Sequence, residues 1–352
     1  MSLSRAIERY LPQIEAELRA ALATPHPALA GFYGMMQYHM GWTDQSFQPV
    51  QAPTGKRLRP LFCVLACQAA GGDPAHAMPA AAAIEILHNF SLLHDDIEDN
   101  SPLRRHRPAV WTIWGIPQTI NVGDGMFAAA FLTMGRLAAA GVPARLCSLA
   151  ASAFQETCLT LTEGQYLDMS FETRPEVELD EYLWMIQAKT AALLGTATRI
   201  GALLADAGSD IVAAYREFGT AVGMAFQIQD DILGIWGNET FTGKPGAGDI
   251  AQRKKTLPLV YTMAQLKQRG QPAALARLLA LYEAAATDAG AIHDVLEILD
   301  DAGARRYCEE QVAEYQELAL SHLARAAGAP GTDVEGLQAL RELALSLVGR
   351  QA

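Results

Sequence analysis

The sequence predicts an all-α protein, and three observations predict it. Apolar residues recur at helical spacing almost from end to end, sustained period-2 alternation is absent, and abundant alanine supplies small side chains that let helices pack closely. At 352 residues, 50% hydrophobic and 19% charged, the chain can bury a sizeable core and is not expected to be disordered. No loop is long or flexible enough to read as an interdomain linker, and no repeat of fixed period recurs. Residues 1–352 are therefore expected to form a single domain.

The elements follow in order. "MSLSRAIERYLPQIEAEL" is amphipathic and carries acids throughout, unlike a signal or transit peptide. "LRPLFCVLACQAAGG" reads as a helix with a glycine stop, and "AAAIEILHNFSLLHDDIEDN" as a longer one. Further helices are expected at about 117–140, 143–169, 179–206 and 210–236. The pattern continues at about 256–268, 272–285, 289–300, 303–326 and 333–349. "TDQSFQPVQAPTG", "NSPLRRHRPA", "FETRPEVELD" and "GNETFTGKPGAGD" mark the loops.

Composition narrows the function. A formal net charge of −12 argues against a nucleic-acid binder, which would carry a basic face. An anionic substrate would have to be held by local cations or by metal, because the overall field repels it. The five cysteines (Cys63, Cys67, Cys147, Cys158, Cys308) are odd in number and scattered, which fits a reducing compartment. Cys63 and Cys67 share a helical face, but no Cys or His pair stands near them at zinc spacing, and they read as small core residues. No stretch approaches the roughly 20 uninterrupted apolar residues of a membrane span. A soluble cytoplasmic protein is expected.

The chemistry concentrates in "HDDIEDNSPLRRHRP", residues 94 to 108, where Asp95, Asp96, Glu98 and Asp99 end an apolar helix and Arg104, Arg105 and Arg107 follow. Residues four apart share a helical face, so Asp95 and Asp99 point the same way, with Asp96 about a hundred degrees round. Like charges held together repel, and burial worsens the cost. A divalent cation removes it, and Mg²⁺ in particular is held by one or two carboxylates while substrate phosphates complete its shell. A solvated acidic helix end, neutralised by the arginines, would account for this cluster alone. "FQIQDDILGIWG" places a second pair, Asp230 and Asp231, in another apolar helix. Two such pairs facing one cavity would grip a metal–diphosphate from two sides.

Cations come in three groups: Lys56, Arg57 and Arg59; Arg104, Arg105 and Arg107; Arg253, Lys254 and Lys255. Arginine suits bidentate phosphate recognition and lysine acts as a point charge. Lys56 and Arg59, at a helix start, would add backbone N–H groups to an anion site. Acids and arginines side by side point to two anionic groups, one bound through metal and one directly.

At these residues the chain resembles the trans-isoprenyl diphosphate synthases, the polyprenyl synthetase family. The resemblance runs from about residue 50 to 260 and rests on "GKRLRP", "ILHNFSLLHDDIEDNSPLRRHRP", "NVGDGMF", "EGQYLDM", "AKTAALL" and "FQIQDDILGIWG…TGKPGAGDI…KKTLP", in the family's order and spacing. It implies a single helical bundle of the isoprenoid synthase type around a deep central cavity, usually a homodimer. The implied activity joins isopentenyl diphosphate head-to-tail to an allylic diphosphate (dimethylallyl, geranyl or farnesyl), giving an all-E prenyl diphosphate.

The resemblance also assigns residues. Asp95 and Asp99 match the ligands of Mg²⁺ on the allylic diphosphate, and Asp230 that of a further Mg²⁺, with Asp96 and Asp231 supporting and three ions per site. Arg104, Lys189, Lys244 and Lys254 match allylic-diphosphate contacts. Lys56, Arg59, His88 and Arg105 match the isopentenyl diphosphate site, and Thr190 and Gln227 match oxygens that face a developing carbocation. Ionisation, attack by the double bond and proton loss to the released diphosphate need no protein nucleophile, so His94 and His106 are not cast as acid or base. One departure stands out: where the family's second motif often ends in Asp, this chain has Gly234.

Product length is read from Phe90, five residues before Asp95 and about 7.5 Å back along the helix. Ser91 beside it is small, and the acidic motif has no insertion. That pattern resembles the geranylgeranyl-forming type; fifteen- and twenty-five-carbon products stay open. Leu87 and Met126 are candidates for the deeper wall. A class I terpene cyclase would not need "GKRLRP" or Arg105, and a non-catalytic partner subunit would not need intact Asp95, Asp99, Arg104 and Arg105.

Overall fold

The computed structural model describes residues 1–237, 247–285 and 288–348. Among these the regular structure is helical except for one two-stranded hairpin and an isolated bridge between Thr43 and Pro49. The chain divides into two compact units. One comprises Met1–Cys158, Thr196–Arg216 and Arg325–Glu342; the other comprises Leu159–Gly195, Glu217–Ala324 and Leu343–Ala352.

In the first unit, α1 (Leu3–Ala21) buries Ala6, Tyr10, Ile14 and Leu18, one residue every four, so a single face carries its packing. The Tyr10 hydroxyl donates to Gln68 Oε1 (2.8 Å) on α3 (Leu58–Ala69). In chain order α2 (Ala30–His39) comes between these two helices. Helix α3 is apolar nearly all round and almost wholly buried. Gly201 lets another helix close on it, since a Cβ there would overlap the Cys63 carbonyl oxygen and sit 2.8 Å from Ala66 Cβ.

Helix α4 (Pro74–Glu98) is started by Asp73, whose carboxylate accepts from Ala75 N (2.9 Å), and by Pro74 at its first position. The loop expected at "NSPLRRHRPA" is a hairpin. Strands β1 (Leu103–Arg104) and β2 (Arg107–Pro108) pair antiparallel, with Arg104 opposite Arg107. Arg105 (φ 53°) and His106 (φ 61°) make the two-residue turn in the left-handed region. Neither is the Gly or Asn that announces such a turn, which is why the sequence does not reveal it. After α5 (Val110–Trp114), α6 (Ile116–Met134) packs along α4. Gly123 permits the approach: a Cβ there would sit 2.5 Å from His94 Cδ2.

Helices α7 (Ala144–Thr173), α9 (Ala192–Leu204) and α10 (Ser209–Trp236) each begin in one unit and end in the other. In the second unit, the helix expected at 179–206 is broken. Helix α8 (Leu179–Ile186) passes through a π turn, Gln187–Ala191, before α9 begins. The turn lies where Gly164 of α7 crosses so closely that a Cβ would overlap Lys189 N and stand 2.9 Å from Ala188 Cβ. Single π turns of this kind recur at functional sites.

The remaining helices are α11 (Gly248–Ala251), α12 (Leu257–Gln268), α13 (Pro272–Ala284), α14 (Ala289–Asp301), α15 (Ala304–Ala327) and α16 (Val334–Val348). From α12 on, their bounds lie within about two residues of those expected, the precision at which helix ends are defined at all. No described helix is long and apolar enough to cross a membrane.

Candidate active site

In the first unit the last turn of α4 carries Asp95 and Asp99, both half-buried and one turn apart, with Asp96 turned inward and 1% exposed. The hairpin brings Arg104 back to them: Nε donates to Asp96 Oδ1 (2.8 Å) and Nη2 to Asp95 Oδ2 (3.4 Å). Burial raises the Asp96 carboxyl, and Arg104 opposes the shift. Asp96 Oδ2 is buried with no hydrogen-bond partner.

The next residue, Arg105, donates to Asn89 Oδ1 (3.2 Å) and the His39 carbonyl (3.4 Å). Burial, then the nearby Arg57 charge, pushes its guanidinium down to about 10, so an anion docking there would relieve it. Arg59 donates to His88 Nε2 (3.2 Å), which requires that nitrogen to be unprotonated. Burial, followed by the Arg59 and Arg105 charges, holds His88 well below its usual range and keeps it neutral. Lys56 stands exposed just before α3.

Two arginines of these groups are bonded into the fold. Arg57, 3% exposed, pairs with Glu15 (3.0 Å) and Glu85 (2.9 Å) and donates to the Met40 carbonyl (3.3 Å). Arg107 donates to the carbonyls of Tyr38 (3.1 Å) and Thr43 (2.7 Å) and lies 4.0 Å over the Tyr38 ring. Both are struts of the fold. Asn89, inside a motif quoted from the sequence but not singled out there, is fully buried. Its Nδ2 donates to Glu85 O (2.8 Å) and Oε1 (3.0 Å) while its oxygen holds Arg105.

Phe90 begins a file of rings: Phe90 to Phe127 at 4.9 Å, Phe127 to Phe131 at 5.0 Å, Phe131 to Phe154 at 5.4 Å. Ser91 donates to the His88 carbonyl (2.8 Å). Leu87 and Met126 are buried, but the α6 side chain that meets Phe90 is Phe127, one residue on from Met126. A phenylalanine one helical turn further along α6, Phe131, was the signal for the file.

In the second unit a chain of hydrogen bonds connects the predicted residues. Thr190 Oγ1 donates to Gln227 Oε1 (2.9 Å), and Gln227 Nε2 donates to Asp231 Oδ1 (3.1 Å). Asp231 Oδ2 accepts from the Tyr182 hydroxyl (2.6 Å) and Leu257 N (3.0 Å). Asp231 is 3% exposed, and burial pushes its carboxyl up to about 7 against the pull of these donors. It is a buried junction, whereas Asp230 beside it is half-buried. Lys189 pairs with Asp168, which lies in the quoted "EGQYLDM". Lys254 is exposed, and Lys244 lies outside the described residues. Tyr182 had no sequence signal beyond its place on an amphipathic helix.

The donor set fits Mg²⁺. Asp95 and Asp99 offer carboxylate oxygens one turn apart, a buried Asp96 oxygen has no partner, and arginines flank them. Among the described residues no group of three or more acids, histidines or cysteines is placed to hold a metal ion by itself. Mg²⁺ is ordinarily held by one or two carboxylates with substrate phosphates and water.

Comparison with known proteins shows the family. A family model described as "Polyprenyl synthetase" matches residues 40–299, and the chain belongs to that family. It is 38% identical over 323 residues to a (2E,6E)-farnesyl diphosphate synthase of Mycobacterium tuberculosis, covering 90% of this chain and 86% of the other. It is also 37% identical over 325 residues to a geranylgeranyl diphosphate synthase of the same organism, covering 92% and 89%. A solved polyprenyl synthetase from Streptomyces coelicolor superposes with a TM-score of 0.87 at 32% identity, over 99% of this chain and 100% of that one. The protein is thus a prenyltransferase of a family that uses Mg²⁺ to bind diphosphates and takes isopentenyl and allylic diphosphates as substrates.

Proposed function

We propose that the protein elongates an allylic diphosphate with isopentenyl diphosphate to make geranylgeranyl diphosphate. The observation that carries the reading is the end of α4, where Asp95 and Asp99 stand one turn apart with Arg104 and Arg105 delivered beside them by the hairpin. Bound Mg²⁺ supplies charge neutralisation of the departing diphosphate.

Asp95 and Asp99 are the residues that would hold that metal, and Asp230 is the residue that would hold a further Mg²⁺. Arg104, Lys189, Lys244 and Lys254 hold the allylic diphosphate, while Lys56, Arg59, His88 and Arg105 receive isopentenyl diphosphate. The allylic C–O bond breaks with its electron pair leaving on the diphosphate. The isopentenyl double bond then forms the new C–C bond, and a proton passes to the released diphosphate. Thr190 and Gln227 place oxygen dipoles toward the allylic cation, their orientation set by Asp231. Asp231 and Asp96 act as supports.

Twenty carbons, rather than the fifteen of one relative's name, follows from Phe90 with small Ser91 and no second aromatic beside it. Large apolar side chains exposed on α6, Ile116, Ile120 and Leu132, support a homodimer. One superposition spanning the chain supports a single working domain. Five unpaired cysteines fit the cytoplasm.

The test incubates purified protein with Mg²⁺, isopentenyl diphosphate and dimethylallyl, geranyl or farnesyl diphosphate, then separates the dephosphorylated products. A twenty-carbon alcohol is expected. Asp95→Ala should lower turnover by several orders of magnitude with unchanged circular dichroism. No elongated product, or an unchanged rate in Asp95→Ala, would sink the reading.

A further inference from the structure

Three neighbouring cations, Arg253, Lys254 and Lys255, follow α11, and the structure treats them differently. Helix α11 is a single turn that ends on a left-handed residue, Arg253 (φ 55°). Lys254 N donates to the Asp249 carbonyl (2.9 Å) and Arg253 N to the Ile250 carbonyl (2.9 Å), the pair of bonds that closes a helix in this way. Glycine is the usual residue there, because a side chain disfavours left-handed backbone. Nothing in the local sequence therefore secures the turn that delivers Lys254.

The support comes from α13, 28 residues further along the chain and outside every motif quoted from the sequence. There the Tyr282 hydroxyl, on a side chain only 4% exposed, donates to the Lys254 carbonyl. Burial, then the charges of Asp249 and Asp231, raises its pKa, so the hydroxyl keeps the proton it donates. The next residue, Glu283, pairs with Arg253 (2.9 Å), but the two side chains are 71% and 49% exposed, and an ion pair so placed is worth little. Lys255 is half-buried, and burial lowers its pKa, whereas Lys254 is exposed. Of the two bonds from α13, the buried one to the Lys254 carbonyl is the one able to fix the backbone.

We propose that Tyr282 is a positioning residue for the diphosphate: its hydroxyl fixes the backbone of Lys254, and with it the point from which the ammonium reaches the allylic diphosphate. Tyr282 touches no substrate itself. The inference rests on the proposed function, in which Lys254 holds that diphosphate. A lysine is a point charge on a flexible stem, so its aim begins where the stem leaves the backbone. Misplacement of about 1 Å is felt at such a contact.

The experiment measures binding of inorganic pyrophosphate to the full chain by calorimetry, with and without Mg²⁺, alongside thermal melts. Tyr282→Phe keeps the ring and removes only the hydroxyl. It should weaken Mg²⁺-dependent binding by about tenfold, the worth of the charged hydrogen bond that Lys254 makes. Lys254→Ala should lose at least as much. In the Lys254→Ala background Tyr282→Phe should change binding by less than about twofold, because no ammonium is left to aim. A merely structural hydroxyl would lower binding by the same factor in both backgrounds. Tyr282→Phe binding like the parent, or two losses that multiply, overturns the proposal. An Asp95→Ala control separates the two ideas. If Asp95→Ala and Lys254→Ala lose binding while Tyr282→Phe does not, only this inference fails. If Lys254→Ala alone of those two controls keeps it, the inference falls together with the role given to Lys254. If both keep it, the prenyltransferase site itself is misread.

Discussion

Removing the ring of Phe90 should lengthen the product by one isoprene unit, and no more. Five residues put Phe90 about 7.5 Å behind Asp95 along α4. Behind it the rings of Phe127, Phe131 and Phe154 follow at 4.9, 5.0 and 5.4 Å. An isoprene unit adds four chain bonds of about 1.5 Å, or roughly 5 Å in zigzag. The ring spacing and the unit length therefore agree. Phe90→Ala should shift the main product from twenty to twenty-five carbons, with Phe127 as the new stop. Phe90→Ala with Phe127→Ala should reach thirty.

Phe90 is only half-buried, so its truncation should cost less than the ~3–5 kcal/mol of a fully buried ring. Thin-layer chromatography of dephosphorylated products from labelled isopentenyl diphosphate reads the outcome directly. An unchanged distribution would remove Phe90 from the wall. A jump to long products from the single substitution would show that the rings do not act in series.

Other expectations concern residues the motifs did not single out. Asn89→Leu should remove the acceptor of Arg105, raising the KM for isopentenyl diphosphate by about tenfold or more, the worth of a buried hydrogen bond to a charged group, with kcat nearly kept; equal KM values would refute it. Tyr182→Phe deletes the 2.6 Å bond to Asp231 and should lower kcat more than it raises either KM, because Gln227 and Thr190 lose their anchor; a melting change with intact kcat would make Tyr182 purely structural. Burial holds His39 well below its usual range, whereas the unfolded chain takes up that proton near pH 6.5. Below pH 6.5 the unfolded state binds the extra proton, so stability present at pH 7 and above falls with acid, by up to about 1.4 kcal/mol per pH unit until the folded pKa is reached. Denaturant titrations at pH 7.5, 6.5 and 5.5 should show a shallower fall for His39→Gln; parallel falls would refute it.

The helices were legible because their period is local. Ala6, Tyr10, Ile14 and Leu18 declare a face without reference to anything distant. Acid spacing was legible for the same reason. What the sequence hid depends on partners far along the chain. Arg57 and Arg59 look alike in "GKRLRP", yet Glu15 and Glu85 draw one inward while His88 meets the other. The π turn at Gln187–Ala191 answers to Gly164, and a Cβ at Gly234 would overlap the Asp249 carboxylate. Lys244 falls outside the described residues, so its expected role stands on resemblance alone.

The hairpin shows how such distant partners shape chemistry. Arg105 and His106 both adopt left-handed backbone, a conformation costing about 1–2 kcal/mol for each residue with a side chain. A turn of Asn-Gly would avoid that cost but could not present a guanidinium at its first position. The strain is offset on three sides: Arg104 is held by Asp96, Arg107 by the carbonyls of Tyr38 and Thr43, and Arg105 by Asn89. Asn89 in turn is fixed by Glu85, which also takes the charge of Arg57. A buried ion pair thus sets the direction of the arginine assigned to isopentenyl diphosphate, two hydrogen bonds away. Arg57 and Arg107 are not redundant copies of Arg104 and Arg105; their bonds to the fold hold the hairpin and Asn89 that aim those two.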